Sequence, residues 1–144
     1  MGAQTPQAAC ELCHSTGGAV LWQNGLCRVV AVADADYPGF CRVIANRHVR
    51  EMTDLSPADR RALLDVVMAV EDAVRETMQP DKMNLASLGN MTPHLHWHVI
   101  PRWSGDRHFP GPVWAAPQRE APVPAARRAA AARLAAAIVA RLAG

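Results

Sequence analysis

Three histidines at every second position are the residues of this sequence with the clearest capacity for chemistry. His94, His96 and His98 lie in the stretch PHLHWHVIPR at 93–102 and make up half of the six histidines in the chain of 144 residues. Successive side chains of a β-strand point to opposite faces, so in a strand the three rings share one face and the apolar residues between them share the other. In a helix the rings would fan out by about 100° per residue. We therefore expect a strand with a histidine row.

The length of this row limits what it can bind as a unit. Neighbours on one strand face lie about 6.7 Å apart, so His94 and His98 are separated by roughly 13 Å. A zinc ion needs nitrogen ligands at about 2.0–2.1 Å, and all three rings could reach one ion only if the strand bent severely. A plain solvent-facing strand would more often carry Thr, Lys, Glu or Ser. We expect the histidines to divide between different tasks.

A second group of reactive side chains lies near the N-terminus, where Cys10 and Cys13 form a Cys-x-x-Cys pair. This spacing occurs in redox pairs, in halves of zinc sites and in pairs of buried thiols. A redox pair should follow a strand and open a helix, whereas this pair follows a polar N-terminal segment. The sequence has no second Cys-x-x-Cys, so a zinc site here would need two histidines as further ligands. The three alternatives stay open at this point.

The elements that must position these residues are predicted as short strands around one clear helix. Ser56 is a typical N-cap and Pro57 suits the first helical position, so the apolar stripe that follows predicts a helix over 57–79. An alanine-rich helix is predicted over 125–142. Strands and helices do not alternate, which favours an α+β domain with an antiparallel sheet. The predicted strands are 19–22, 26–32, 40–46, 83–89 and 94–100.

The bulk composition excludes several classes of partner. The chain is half hydrophobic with a formal net charge of +2, which is too small to argue for nucleic acid or an anionic membrane surface. No apolar run approaches the roughly 18 residues of a membrane span, and the first thirty residues show no secretory signal. We expect one domain in the cytoplasm, with neither nucleic acid nor membrane as a partner.

The segment HLHWHVI at 94–100 matches the pattern His-φ-His-φ-His-φ-φ, where φ is apolar, and resembles the signature of the histidine triad (HIT) family. The segment RVIANRHV at 42–49 resembles the apolar strand ending in histidine that this family carries upstream. The stretch NLASLGNMTPHLHWHVIPRW at 84–103, followed by DRHFPGPVW at 106–114, is similar to a proteobacterial branch described as diadenosine-tetraphosphate-hydrolase-like.

The resemblance implies a HIT-like α+β fold, in which an antiparallel sheet of about five strands packs with one main helix and a C-terminal helix. It places a HIT domain at 10–116, after a flexible N-terminus at 1–9 and before a Pro/Ala-rich segment and C-terminal helix at 117–144. It also implies a homodimer with one continuous sheet, and we expect Trp103 or Trp114 to lie near the partner's site.

The chemistry that the resemblance implies is hydrolysis or transfer at the α-phosphorus of a (di)nucleoside polyphosphate or a nucleoside phosphoramidate. His96 would be the nucleophile and form a covalent nucleotidyl-histidine, with its other ring nitrogen donating to a backbone carbonyl. His98 would donate to a phosphoryl or bridging oxygen and help the leaving group depart. The residues expected to contact substrate are Asn84, Asn90 and Thr92, the last standing near a position where many members carry serine.

Family members with the Cys-x-x-Cys pair also imply a use for the first histidine of the row. They hold a structural zinc ion with this pair, the histidine after the third strand and the first triad histidine. The implied ligands are Cys10, Cys13, His48 and His94, and no catalytic metal is required. Two alternatives are a zinc-stabilised nucleotide-binding or interaction protein with little turnover, and a metallohydrolase that uses all three triad histidines as ligands.

Overall fold

The computed structural model describes residues 6–143 and contains one antiparallel sheet. The strand order across the sheet is β1-β2-β3-β5-β4, so β3 is the central strand and β5 lies beside it. The strands are β1 (Ala19–Gln23), β2 (Cys27–Ala31), β3 (Cys41–Ala45), β4 (Lys82–Ala86) and β5 (His96–Arg102). The helices are α1 (Glu11–His14), α2 (Pro57–Met78), α3 (Ala125–Ala131) and α4 (Leu134–Leu142), with a short 3-10 helix at Met52–Asp54. The predicted five-stranded antiparallel α+β fold is confirmed.

The long helix α2 covers one face of the sheet. It begins where the sequence predicts, because the Ser56 side chain accepts a hydrogen bond from the Asp59 amide and Pro57 occupies the first turn. It ends at Gln79, which adopts a left-handed conformation with φ of 52°. Its apolar stripe is buried against the alternate residues of β2, β3 and β5 that face it, and this packing forms the main core.

Two irregular segments cover parts of the opposite face. The N-terminal turn is held there by Arg28 of β2, whose guanidinium donates to the carbonyl oxygens of Leu12 at 2.8 Å and Thr16 at 2.8 Å. The segment after β5 is held by the Arg102–Asp106 ion pair, which is almost completely buried. The central part of the face between these segments is where the histidine side chains of β5 emerge.

The alternation predicted for the histidine row is present, with one change at its start. Leu95, Trp97 and Val99 all pack in the main core under α2, on the side opposite the histidines. The strand begins at His96, two residues later than predicted, and runs on to Arg102. His94 therefore precedes the regular ladder. Its carbonyl oxygen accepts from the His96 side chain, and its ring turns toward the N-terminal segment, where Nδ1 lies 3.3 Å from Sγ of Cys10.

The predicted C-terminal helix is two helices. At Ala132 and Arg133 the backbone forms tighter bonds to residues three positions back, which interrupts the helix between α3 and α4. The bend lets Leu134 and Ile138 enter the main core, and α4 packs on α2 and β1 of its own chain. The predicted β4 is also shorter, since it ends at Ala86 and residues 87–95 form an irregular loop.

Two sequence expectations concern the chain ends and membranes. The predicted flexible N-terminus at 1–9 falls largely on residues 1–5, which lie outside the described residues. Between residues 6 and 143, none of the helices combines the length and apolar character that crossing a bilayer requires.

Candidate functional site

His96 has one ring nitrogen engaged and the other free. Its Nδ1 lies 2.6 Å from the carbonyl oxygen of His94, so Nδ1 carries the proton and donates. This is the backbone contact that the sequence analysis expects. The remaining nitrogen, Nε2, then holds a lone pair, which is the form of imidazole that can attack phosphorus. Burial lowers the pKa of His96, and this keeps the ring neutral although the hydrogen bond to His94 acts in the opposite direction.

His98 presents the complementary form of the ring. Its Nδ1 accepts from Nε of Arg42 at 3.4 Å, so its Nε2 carries the hydrogen. The rings of His96 and His98 meet edge to face with centroids 4.8 Å apart. Burial, followed by the charges of His96 and Arg42, lowers the pKa of His98 to about 4. At neutral pH the two rings therefore place a nitrogen lone pair beside an N–H donor.

Two clefts flank this histidine pair. One has a volume of about 360 Å³ and is lined by Arg42, His96, His98 and Trp114 together with the loop 88–92. The other has a volume of about 300 Å³ and is lined by the 50–53 segment, part of the 87–89 loop and residues 94–97. His96 borders both clefts, so a phosphorus atom held against its Nε2 has room on either side for the two parts of a substrate.

The predicted substrate contacts divide into two groups. Asn90 and Thr92 line the larger cleft, as expected for residues of the loop that precedes the row. Asn84 does not border either cleft, and its side-chain oxygen accepts from Nη1 of Arg102 at 2.8 Å. The reason is the sheet register: Asn84 pairs with Ile100, farther along β5 than His98. The structure thus gives Asn84 a contact that supports the fold.

The structure also shows where Trp103, Trp114 and His108 lie relative to the clefts. Trp114 lies against His98 of its own chain, with ring centroids 4.9 Å apart; half of its surface is exposed, and it lines the larger cleft. Trp103 is buried in the core beneath Arg127. His108 stays outside both clefts, where its Nδ1 bonds the hydroxyl of Tyr37 at 2.7 Å.

The four residues named as zinc ligands converge on one point. The ligand atoms of Cys10, Cys13, His48 and His94 all lie within 4.8 Å of one another. Nδ1 of His94 is 3.3 Å from Sγ of Cys10, and Nδ1 of His48 is 3.2 Å from Sγ of Cys13. A tetrahedral zinc ion with ordinary bond lengths would separate a sulfur from a nitrogen ligand by about 3.5 Å. The donor set and its spacing therefore fit zinc.

The orientation of His94 supports the same assignment. Its Nε2 donates to the carbonyl oxygen of Ala45 at 2.7 Å, which leaves the lone pair of Nδ1 directed at the two thiols. A second hydrogen bond of this kind is typical of histidines that bind metal, because it fixes the ring and its tautomer. His96 has its own Nδ1 bound to a carbonyl and faces the clefts. This geometry argues against a single ion held by all three triad histidines.

Comparison with known proteins decides the family. Residues 16–105 match the HIT domain family model, which is more than half of the chain. The chain belongs to the HIT domain family. A histidine triad protein from Bradyrhizobium japonicum is 28% identical, with a TM-score of 0.71 and coverage of 88% of this chain and 91% of that one. A histidine triad protein from Marinobacter aquaeolei VT8 is 32% identical, with a TM-score of 0.69 and coverage of 89% of this chain and 90% of that one.

A curated relative of this HIT chain is also similar in sequence. The AP-4-A phosphorylase of Mycobacterium tuberculosis is 30% identical over 78 residues, which are 50% of this chain and 40% of that protein. The chain thus aligns with less than half the length of this relative. The HIT resemblance drawn from the 94–100 motif is confirmed by the family match and by these neighbours.

One functional neighbour of the HIT motif was missed by the sequence analysis. Arg42 stands in the middle of an apolar strand and lines the larger cleft beside His98. The sequence does contain a sign of this role, because an arginine within the apolar run FCRVIAN is unusual for a buried strand. What the sequence could not give is the pairing of β3 with β5, which places Arg42 directly opposite His98.

A second missed feature anchors the segment that carries Trp114. Asp106 accepts from Nε of Arg102 at 2.8 Å and from the Tyr37 hydroxyl at 2.9 Å. It also accepts from the amides of the residues that follow β5, namely Trp103, His108 and Phe109. Burial by itself would raise the pKa of Asp106, but these hydrogen bonds outweigh it and hold that pKa well below its usual range. Burial and the contact with Asp106 raise the pKa of Tyr37 to about 12.

Proposed function

We propose that this HIT protein catalyses hydrolysis or transfer at the α-phosphorus of a nucleotide through a covalent intermediate on His96. The observation that carries the proposal is the pair of fixed tautomers. His96 is held by the His94 carbonyl with a free Nε2, and His98 beside it is held by Arg42 with an N–H at Nε2. Both rings border the same cleft. The similarity to a protein named AP-4-A phosphorylase agrees with nucleotide chemistry of this kind.

The first step forms the intermediate. Nε2 of His96 attacks the α-phosphorus, an Nε2–P bond forms, and the bond from phosphorus to the leaving group breaks with its electron pair. The proton on Nδ1 stays in place, and its hydrogen bond to the His94 carbonyl stabilises the positive charge that develops on the phosphorylated ring. Nε2–H of His98 donates to an oxygen of the leaving group or of the phosphoryl group and stabilises its negative charge.

The second step releases the nucleotide. Water attacks the phosphorus, the P–Nε2 bond breaks, and one proton of the water passes to solvent while His96 returns to its neutral form. With another acceptor in place of water, the same step is a transfer. Asn90 and Thr92 line the larger cleft, and in this proposal their side chains donate to the phosphoryl oxygens.

The Cys10, Cys13, His48 and His94 cluster has a structural part in this proposal. A bound zinc ion would link the N-terminal turn to the residue that starts the histidine row, and it would supply stability without contacting the substrate. His94 contributes its carbonyl oxygen to His96 and its ring to the cluster. The metal site would therefore position the nucleophile from two residues away.

The proposal is tested by turnover of a small substrate panel. Purified protein is assayed with diadenosine tetraphosphate and with an adenosine phosphoramidate, and the His96→Ala variant is compared with wild type. We expect a loss of several orders of magnitude in kcat for at least one wild-type substrate, because His96 makes the bond that defines the step. His14→Ala is the matched control, since His14 is exposed and lies outside both clefts.

Two results would contradict this account. Turnover of His96→Ala above about a tenth of wild type, with substrate binding unchanged, would remove the covalent role of His96. Tight nucleotide binding by wild-type protein without turnover of any panel member would support the binding-protein alternative.

A further inference from the structure

Arg42 places a positive charge at one end of the histidine pair. In the register of β3 and β5, Arg42 lies opposite His98, whereas His96 lies opposite the apolar Ile44. Paired residues of neighbouring strands point to the same face of a sheet, so the guanidinium and the His98 ring emerge together. Among the described residues that line the larger cleft, Arg42 is the one with a permanent charge.

The donors of Arg42 are mostly unused. Its Nε donates to His98, and within residues 6–143 its Nη1 and Nη2 have no hydrogen-bond partner and no carboxylate within ion-pair distance. The side chain is half-buried and also contacts the ring of Phe40. Burial lowers the pKa of the Arg42 guanidinium, an effect that the distant charge of Glu11 only partly opposes.

The two other buried arginines on this face of the sheet differ from Arg42, because acceptors within the chain use their hydrogen-bond donors. Arg28 donates to three backbone carbonyl oxygens of the N-terminal segment. Arg102 donates to both carboxylate oxygens of Asp106, to the side chain of Asn84 and to a backbone carbonyl. The hydrogen bonds of both arginines therefore hold parts of the fold together. Arg42 differs, because its forked N–H groups are directed at an open cleft.

A forked guanidinium with free donors fits the oxygens of a phosphate chain. The fork matches two oxygens of one phosphate group, and such charge-assisted bonds are about twice as strong as neutral ones. An uncharged amine offers no acceptor of this geometry. The charge lies at the end of the row occupied by His98, the histidine that donates toward the leaving group in the proposed reaction.

We propose that Arg42 binds the leaving group of the proposed reaction, and that the site is built for an anionic polyphosphate leaving group in preference to an amine. The inference rests on the proposed function and names its substrate class. The step balances without a proton: the Nε2–P bond forms at His96, the P–O bond to the polyphosphate breaks, and the electron pair stays on the departing oxygen. Arg42 and Nε2–H of His98 stabilise that charge.

An amine leaving group would need a proton in addition to these hydrogen bonds. Breaking a P–N bond requires that a proton reach the nitrogen before or during its departure. Nδ1 of His98 accepts from Nε of Arg42, so its Nε2–H is a hydrogen-bond donor suited to an oxygen anion, and burial lowers the pKa of His98 and favours this neutral form. This agrees with the geometric argument from the free guanidinium.

The test compares two substrates that share an adenylyl group and differ in leaving group. The kcat/KM of wild type and Arg42→Gln is measured with diadenosine tetraphosphate and with the adenosine phosphoramidate of tryptamine. We expect losses with both substrates, because the variant also removes the bond that fixes the His98 tautomer. The loss for the polyphosphate should exceed the loss for the phosphoramidate by about 10²-fold, the scale seen when one donor to a developing anion is removed. Arg107→Gln is the control, because Arg107 is an exposed arginine paired with Asp36, and it should leave both values unchanged.

The outcomes separate this inference from the proposed function. Equal losses for both substrates, or no loss for either, would overturn the role of Arg42 while leaving the His96 chemistry in place, as would wild-type activity on the phosphoramidate alone. Failure of wild type on both substrates would instead contradict the proposed function itself. If Arg42→Gln does not fold, competitive inhibition by inorganic tripolyphosphate is measured for wild type and Arg42→Lys. An inhibition constant raised at least about fivefold supports the role, and an unchanged one contradicts it.

Discussion

At the scale of single residues, the site depends on which ring nitrogen carries the proton. His96 and His98 are two residues apart with identical side chains, yet their partners give them opposite tautomers. The His94 carbonyl takes the proton of one at Nδ1, and Arg42 donates to Nδ1 of the other. Burial lowers the pKa of both rings and keeps them neutral. Position along one strand therefore produces a lone pair and a donor side by side.

Asp106 is the residue at which we expect the largest effect of a single substitution on stability. It is almost fully buried and pairs with the equally buried Arg102. Asp106→Asn would leave the guanidinium without its counter-charge, and breaking a buried pair of this kind costs about 3–5 kcal/mol. Denaturant unfolding of the variant measures the loss.

The control for this prediction is an exposed pair on the same molecule. Asp72 accepts from Arg141 at 2.7 Å, and its side chain is 72% exposed. Asp72→Asn should change the free energy of unfolding by no more than about 1 kcal/mol, because water screens such pairs. Equal effects of the two substitutions would show that the Arg102–Asp106 pair does not anchor the segment after β5.

At the scale of elements, the N-terminal turn and the start of β5 form one unit. Helix α1 begins directly after Cys10 and contains Cys13, and Arg28 fixes its backbone to the sheet. His94 reaches the same thiols from the residue that precedes the strand ladder. A metal at this point would join two segments that lie more than eighty residues apart in sequence.

We expect one structural zinc ion per chain at this junction. Protein purified without added zinc should contain close to one equivalent by elemental analysis. Cys13→Ser should lose most of that zinc and melt at least about 5 °C lower, while turnover per folded molecule falls far less. Cys27→Ala is the control, since Cys27 is a buried thiol outside the cluster, and its zinc content should match wild type. Metal-free wild-type protein with the same melting temperature would contradict the prediction.

The helices and strands also show which structural features local sequence patterns can predict. The period of two in HLHWHVI predicts the strand and its two faces, and the caps of α2 predict where that helix begins, because these signals are local. The break at Ala132 has no Gly or Pro to mark it, so helix propensity predicts one helix where packing of Leu134 produces two.

The parts of the site that escaped prediction are set by long-range pairing. Arg42 and His98 meet only because β3 and β5 are neighbours in the sheet, 56 residues apart in sequence. Tyr37 and Asp106 meet across 69 residues. Asn84 is predicted to contact substrate, but the register of β4 places it beside Ile100, where its side chain accepts from Arg102 outside both clefts. The residues of the metal cluster were named only through resemblance to a family.

At the scale of the whole molecule, one of the two edge strands and one helix surface are candidates for contact with a partner, since β1 at the other edge packs with α4. Strand β4 pairs with β5 on one side, and within residues 6–143 no strand pairs with its other edge. On α2, Leu64 and Met68 lie one turn apart and are 36% and 47% exposed. An unpaired strand edge and exposed apolar side chains are typical of surfaces that associate. We propose a homodimer that uses this helix and this edge.

The dimer is tested by mass in solution. Light scattering at micromolar concentration should give twice the chain mass for wild type. Leu64→Glu together with Met68→Glu should give the single chain mass, because charges at an apolar interface cannot be solvated there. Val20→Glu is the control: Val20 is 41% exposed on β1, the strand at the opposite edge of the sheet from β4, and this variant should stay dimeric. A wild-type monomer that retains full activity would contradict the arrangement.

The central claim is that a nucleotide becomes bonded to His96, and trapping that species tests it most directly. Wild-type protein is mixed with diadenosine tetraphosphate, quenched within milliseconds in alkaline denaturant, and measured by mass spectrometry with peptide mapping. We predict a mass increase of one adenylyl group during turnover, located on His96 and absent from His96→Ala. Rapid turnover with no adenylylated protein at any time, or an adenylyl group on another residue that His96→Ala retains, would contradict the mechanism.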